Sequence, residues 1–572
     1  MTGKQFENAI LQQGKLLRIS DQTITRIVRL KNNIVATGVI IENCIFEEDV
    51  TFEQLDLNCG IVFSKCKFLK KLSIKNCIAT KYDNSFNYVN SHLEFLSTTI
   101  ERLFFSGNNQ IQRGINIGKN SIINILKVET LICSKGGFSI IDSSINKTLD
   151  ISNSKFQTDV SIRGNSEINT KIRFENIDVN SLVFTQATFN KDIHIWAGKI
   201  NSLTFNDGIF HDDVSISAVP ISDYLTIKRT EFKKSIVFKL WDETNQKQGK
   251  LTNIYIASGK FGEQFIINGE NYEVDKLVLK ISKQLEGALY FNSTNIVKAE
   301  ISGDSHSSNI VFNHSNFKEL IFDNFYNYST LSIISAKSFG TNSILKIEHS
   351  NLGKMHLFNV FLNTFDKVYI FNSILTEIIT ANVKWFDDNK LNPEISASQH
   401  SFEQRKEIYR QLKFVLEKQG DRISSLRFKA LEMKTYKQET FSKVQWYKRI
   451  FNVDRFVLWV GQSNNFGLNW FKPVLFAIGF SLLFHFLIIV GISDELSYSP
   501  NLNSQSLETT WKVYKENLSS LPQFMNPTHL LSRIYPNNPN LSFSVQLLDY
   551  FLKLILAFFI FQIISAFRKY MK

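Results

Sequence analysis

The sequence predicts a mainly β protein: a right-handed parallel β-helix of about 22 residues per coil, then an αα-hairpin linker and two transmembrane α-helices. Three observations carry this. A short apolar pattern recurs through the first four hundred residues, the period changes to 3.6 at Phe402, and two long apolar runs lie near the C-terminus. The expected organisation is an N-terminal helical capping segment at 1–30 and a repeat domain at 31–390. A basic helical linker follows at 396–460, then a first span at 470–492, an outer loop at 493–546, a second span at 547–567 and a tail at 568–572.

The N-terminal segment is polar and amphipathic, with no apolar core of a secretory signal, so the repeat domain is expected in a reducing compartment. The five cysteines, Cys44, Cys59, Cys66, Cys77 and Cys133, are odd in number and form no CxxC pair, which argues against a zinc module and a disulfide scaffold.

The repeat is clearest between residues 145 and 238. It reads Ile145-NKTLD-Ile151, Phe156-QTDVS-Ile162, Phe189-NKDIH-Ile195, Phe210-HDDVS-Ile216 and Phe232-KKSIV-Phe238. Further copies begin at Phe46, Phe68 and Leu285, and the last convincing one ends near Trp385. The pattern is apolar, three mostly polar residues, apolar, any, apolar. Its final apolar pair has period 2, so both side chains face one side of a strand. Strands this short cannot fold singly, but stacked as coils they share a continuous core. The leading Phe then turns inward at a corner and stacks on its neighbours, and Cys44 and Cys66 stack in adjacent coils. About 16 coils of ~4.8 Å each would give a rod on the order of 75 Å. Parallel strands so connected wind right-handed.

These F-x-x-x-V-x-F/I units with polar turns resemble the degenerate pentapeptide-repeat proteins of bacteria, over roughly residues 35–385. Strict A-(D/N)-L-x-x runs are missing, which sets the chain apart from the narrow quadrilateral, DNA-mimicking members. Residues 1–400 carry a net charge near +2, which independently excludes an acidic DNA mimic and a basic nucleic-acid surface, so no nucleic acid is expected as a partner.

After Phe402, Ile408, Leu412, Val415 and Leu416 fall on one helical face. Gly420 suits a C-cap and Asp421 an N-cap before a second helix through Leu426–Met433. Residues 401–450 hold a net +7. The strings Tyr409-Arg410 … Gly420-Asp421 … Phe428-Lys429-Ala430, Asn465-Phe466-Gly467-Leu468, Asn526-Pro527-Thr528-His529 and Ala566-Phe567-Arg568-Lys569 are similar to the linker and tail of two-span members of that family. The resemblance implies a bacterial inner-membrane protein with a cytoplasmic repeat domain, and no known reaction.

The runs Trp470–Ile492 and Leu547–Phe567 have the length of bilayer spans and apolar residues on all faces. Their polar residues are the candidate membrane-functional positions. His485 reads as an interhelical histidine, with a proton-linked role as the sharper reading. Gln562 can bond across helices, and Lys553 can snorkel to an interface. Juxtamembrane Lys443, Lys448, Arg449 and Arg455 before the first span, with Arg568 and Lys569 after the second, place both termini in the cytoplasm and 493–546 outside. Five of the eight prolines fall in that loop, so it reads as irregular, with one helix around Leu507–Leu521.

No P-loop, dinucleotide, HExxH or GxSxG motif occurs. The tight cluster His211-Asp212-Asp213 occupies the polar turn slots of its repeat, so it reads as a solvated turn. No catalytic residue, cofactor or metal is expected. The reading is a membrane-anchored, non-enzymatic scaffold whose partners are the lipid bilayer, an unknown protein along the β-helix and, in a homo-oligomer, further copies of itself. The alternative is an oligomeric channel or membrane-permeabilising effector gated through the rod. A β-helical enzyme ranks third.

Overall fold

The structure is a computed structural model describing residues 1–12, 16–35, 38–57, 59–79, 92–239, 249–269, 272–392, 399–443, 453–493, 496, 504–536 and 541–567. The chain divides into two compact units, residues 1–393 and 394–572. The first is a parallel β-solenoid of about 15 turns of about 22 residues.

The apolar spacing produces this directly. Phe189, Ile193 and Ile195 lie in register with Phe210, Val214 and Ile216 one turn later, and those with Phe232, Ile236 and Phe238. All nine side chains are buried. The leading Phe of each unit stacks at a corner: Phe46 on Phe68 at 4.4 Å, Phe189 on Phe210 at 4.6 Å, Phe210 on Phe232 at 4.8 Å. These spacings approximate the strand separation of a sheet. Each pair adds about 0.5–1.5 kcal/mol to its burial.

A second signal sets the beat of eleven. Asp21, Asn32, Asn43, Gln54, Lys65 and Asn76, eleven residues apart, all have φ between 52° and 55°. One left-handed residue bends the chain at each corner, and Asn tolerates that conformation better than most residues. The residue after it is often a small buried Ser, Thr or Cys, which satisfies the inward-pointing backbone of the bend. The Thr98 amide donates to Ser121 Oγ at 3.1 Å, Ser121 to Ser143 Oγ at 3.3 Å, and Ser143 to Ser166 Oγ at 3.2 Å. The Ser143 hydroxyl in turn donates to the Ile141 carbonyl at 2.8 Å. Cys44 and Cys66 fill the same slot, each thiol facing the carbonyl two residues back at 3.3 Å. The polar turns are thus part of the scaffold. A side-chain ladder, Asn124–Asn146–Asn169–Asn190, runs up the wall through amide bonds of 3.2, 3.2 and 2.6 Å.

The first strand is Leu17–Ser20, so the sheet begins within the stretch expected to be a cap. The cap itself is α1, Gly3–Ile10, opened by a Thr2/Gln5 capping box. It buries Phe6 and Ile10, sets Phe6 edge-on to Phe46 at 5.2 Å, and accepts the Arg29 amide on Glu7 Oε1 at 2.5 Å. Covering an open sheet end protects its unpaired backbone groups.

In the second unit, α2 (Gln399–Lys418) and α3 (Arg422–Lys443) form the hairpin. Gly420 takes φ +81°, and Asp421 Oδ1 caps the Ser424 amide at 3.0 Å. Lys406–Glu439 and Lys413–Glu432 ion pairs of 2.5 and 2.7 Å bridge the two helices. There follow α4 (Val453–Ser463), α5 (Phe471–Ile492), α6 (Ser504–Asn517), α7 (Leu521–Phe524), α8 (Leu531–Ile534) and α9 (Phe543–Phe567).

Candidate functional site

Helices α5 and α9 are each long and apolar enough to cross a membrane. Only 33% and 28% of their most apolar windows are buried, whereas a core helix of a soluble protein hides most of its surface. They pack side by side, with Phe476 and Phe480 of α5 each 5.7 Å from Phe559 of α9.

The connecting segment folds back onto them. Phe524 of α7 and Leu531 of α8 enter one apolar cluster with Ile488 of α5 and Val545, Leu552 and Leu556 of α9. Polar side chains gather around this cluster. His485 is fully buried, and its Nε2 lies 2.8 Å from Ser520 Oγ, which donates to the Asn517 carbonyl at 2.7 Å and neighbours the Tyr535 hydroxyl at 3.3 Å. The Phe524 ring centre sits 4.9 Å from His485 and 4.9 Å from His529, between the two imidazoles. Burial pushes the Tyr535 phenol upward, partly offset by its bond to Ser520, so it stays protonated.

His529 bonds on both sides. Its Nδ1 lies 2.7 Å from the Asn526 carbonyl, which can only accept, so Nδ1 carries a hydrogen. Its Nε2 lies 2.6 Å from Asp549 Oδ1, and the other carboxylate oxygen takes Lys553 Nζ at 2.6 Å. The carboxylate of α9 thus joins one cation of its own helix to the imidazole of the returning segment. The Lys553 cation on one side and the His529 hydrogen bond on the other offset the desolvation of the buried Asp549. The arrangement is a clamp that orients the returning segment and fastens it to α9.

The predicted positions therefore separate. His485 meets Ser520, and Lys553 meets Asp549 on its own helix. Gln562 is buried lower on α9, where its backbone carbonyl accepts from Asn464 Nδ2 at 3.3 Å. Ser481 is buried one turn before His485, and Ser481 Oγ and His485 Nδ1 have no hydrogen-bond partner among the described residues. Lys448, Arg449, Arg568 and Lys569 lie outside the described residues, as do the side chains of Lys443 and Arg455, which fall on α3 and α4.

Sequence reasoning missed Asp549, His529 and Ser520. One signal was available: an acid four residues before Lys553 inside an apolar run, the spacing of a helical ion pair. Nothing local points to Ser520, because its partner is 35 residues away. In the solenoid, Asp212 pairs with Lys234 at 2.5 Å, which holds its carboxyl below the usual range, and Asp213 Oδ1 accepts the Ser235 amide at 3.1 Å. Both acids of the His211 cluster are thus engaged by the next coil. No group of three or more potential metal ligands occurs among the described residues. No protein-family model, curated protein or solved structure matches the chain.

Proposed function

We propose that the chain is a membrane-anchored, non-enzymatic scaffold of the pentapeptide-repeat-like kind, seated in a bacterial inner membrane with both termini in the cytoplasm. Its solenoid binds a partner protein. The observation carrying this reading is one stretch of solenoid wall. Outward positions on four successive coils are held by Val237, Ile266, Tyr290 and Val311, in register and partly exposed, while Ser215 and Ser332 occupy the same column on either side. Outward strand positions are normally polar, and a flat β-branched and aromatic strip is the composition of a docking surface. The two apolar helices support anchoring, and the basic flanks support the orientation. The use of polar side chains for ladders and corners supports a structural role.

The test is affinity capture of the full chain in mild detergent, with mass spectrometry and sizing of the complex. A partner retained by the wild type and lost from Val237→Lys/Val311→Lys supports the reading. A partner set unchanged by those substitutions defeats it.

A second reading, an oligomeric channel, is favoured by one observation. The short helix α7 returns alongside the apolar spans and sets Phe524 against His485, about 10 Å along α5 from its C-terminal end. Broken helices at such depth are tolerated only inside protein or along a water-filled cavity. Planar-bilayer recording decides: conductance abolished by His485→Leu or Gln562→Leu would put the channel first.

A further inference from the structure

Between α4, α5 and α9 lies an open groove of about 280 Å³, lined by Gln462, Ser463, Lys472, Phe476, Phe480 and Phe559. We propose that this groove holds an anionic phospholipid, with its phosphate at Lys472 and an acyl chain along the phenylalanines. The inference rests on α5 and α9 spanning a bilayer.

The lining is divided by chemistry. Gln462, Ser463 and Lys472 form a polar end, and the three aromatic rings form an apolar one. Phe559 stacks nearly parallel on both Phe476 and Phe480, at interplanar angles of 17° and 25°, so the apolar end is a continuous row of rings along which a hydrocarbon chain can lie. From Lys472 to Phe480 is eight residues, or about 12 Å along the helix. One leaflet of hydrocarbon is about 15 Å deep. The groove therefore runs most of a leaflet's depth, with its charged end outward.

Two further observations fix the level. Trp470 and Phe471 are exposed just before Lys472, and Trp470 stacks on Phe567 at the end of α9, 5.4 Å away. Aromatic rings gathered at the same end of two apolar helices mark the headgroup region. The charged residue lining the groove is a cation. Lys472 is exposed, has no ion-pair partner among the described residues, and no carboxylate lines the groove. A second cation is close, because Lys437 of α3 donates to Gln462 at the rim. A lysine end above an apolar channel between helices matches a phosphate above its acyl chain. Neither a soluble anion nor a neutral lipid uses both halves.

The test uses the purified full chain in detergent. Native mass spectrometry and thermal-shift titration compare phosphatidylglycerol, phosphatidylcholine of the same chain length, and water-soluble glycerol phosphate. One phosphatidylglycerol should be retained about fivefold more tightly than phosphatidylcholine, the equivalent of about 1 kcal/mol for one surface cation. Lys472→Gln should erase that preference, Lys472→Arg should keep it, and Phe476→Ala should weaken both lipids alike. Equal retention of the two lipids by the wild type, or an unchanged preference in Lys472→Gln, overturns the proposal. Binding of glycerol phosphate as tight as that of the lipid also overturns it, because the chain would then contribute nothing. Alkaline carbonate extraction of membranes separates this failure from that of the anchoring reading. A chain released by carbonate fails to span, whereas a retained chain without lipid preference refutes only the groove.

Discussion

Replacing Val214 by Asp tests the solenoid frame at its centre. Val214 is 1% exposed and lies between Ile193 and Ile236 of the adjacent coils, both equally buried. Losing the valine forfeits about 1.5–3 kcal/mol of apolar burial. Holding a carboxyl in that column raises its pKa by roughly 3–5 units, so at pH 7 it folds protonated, and the roughly 3 units between its ordinary pKa and pH 7 cost about 4 kcal/mol at 1.36 kcal/mol per unit. The total, about 5–7 kcal/mol, is comparable with the whole stability of an ordinary domain. Because each coil touches only its neighbours, the damage should centre on the coils around position 214. The neighbouring Asp213→Asn keeps an acceptor for the Ser235 amide and should cost about 0.5 kcal/mol or less. The assay is thermal melting followed by far-UV circular dichroism, with limited proteolysis to locate the opening. The folded-state carboxyl pKa is raised, so the penalty is smallest below about pH 4 and grows as pH rises toward neutrality. Equal melting of the two variants, or a Val214→Asp penalty independent of pH, would refute the inward placement of Val214.

Ser143→Ala leaves the buried Ser121 amide without an acceptor and should cost about 1–3 kcal/mol in a denaturant melt, with Ser143→Thr milder. Asp549→Leu should lower the melting temperature in detergent by more than the double change Asp549→Leu/His529→Leu, because the single change strands the buried His529 while Lys553 loses its partner in both. Burial pushes the Cys133 thiol from its ordinary 9.0 up to about 12. Its contribution to stability is complete below pH 9.0 and is lost as pH rises toward 12, so Cys133→Ala should flatten that stretch of an alkaline denaturation curve. A cysteine at Ser504 should react with an impermeant thiol reagent in intact cells and one at Ser398 should not, and the opposite pattern would reverse the orientation.

The solenoid was legible because its core is periodic: Phe210, Val214 and Ile216 announce their neighbours' positions by spacing alone. The corner chemistry was visible as polar letters but not as a mechanism, since Asn43 and Cys44 acquire meaning only once a left-handed bend leaves an amide needing a partner. Helices α5 and α9 were legible from length and composition. The packing of 504–536 was not, because Ser520, Phe524 and His529 find partners across long sequence separations and no period encodes such contacts. Lys553 illustrates the difference. Its chemistry suits an interface, whereas the structure gives it a carboxylate one turn away.

The matching registers also make the coil a unit of length. Ile172, Ile193, Val214 and Ile236 occupy one column on four successive turns. Excising residues 193–213 would join Asp192 to Val214 and bring Val214 above Ile172, with every outward and inward position restored. A deletion half that long would place a corner against a strand and a Phe against a bend. Insertions and deletions that preserve folding should therefore come in whole turns, and the distance between the α1 end of the solenoid and its other end should change in steps of about 4.8 Å. Such a molecule can change its reach without redesigning its surface chemistry.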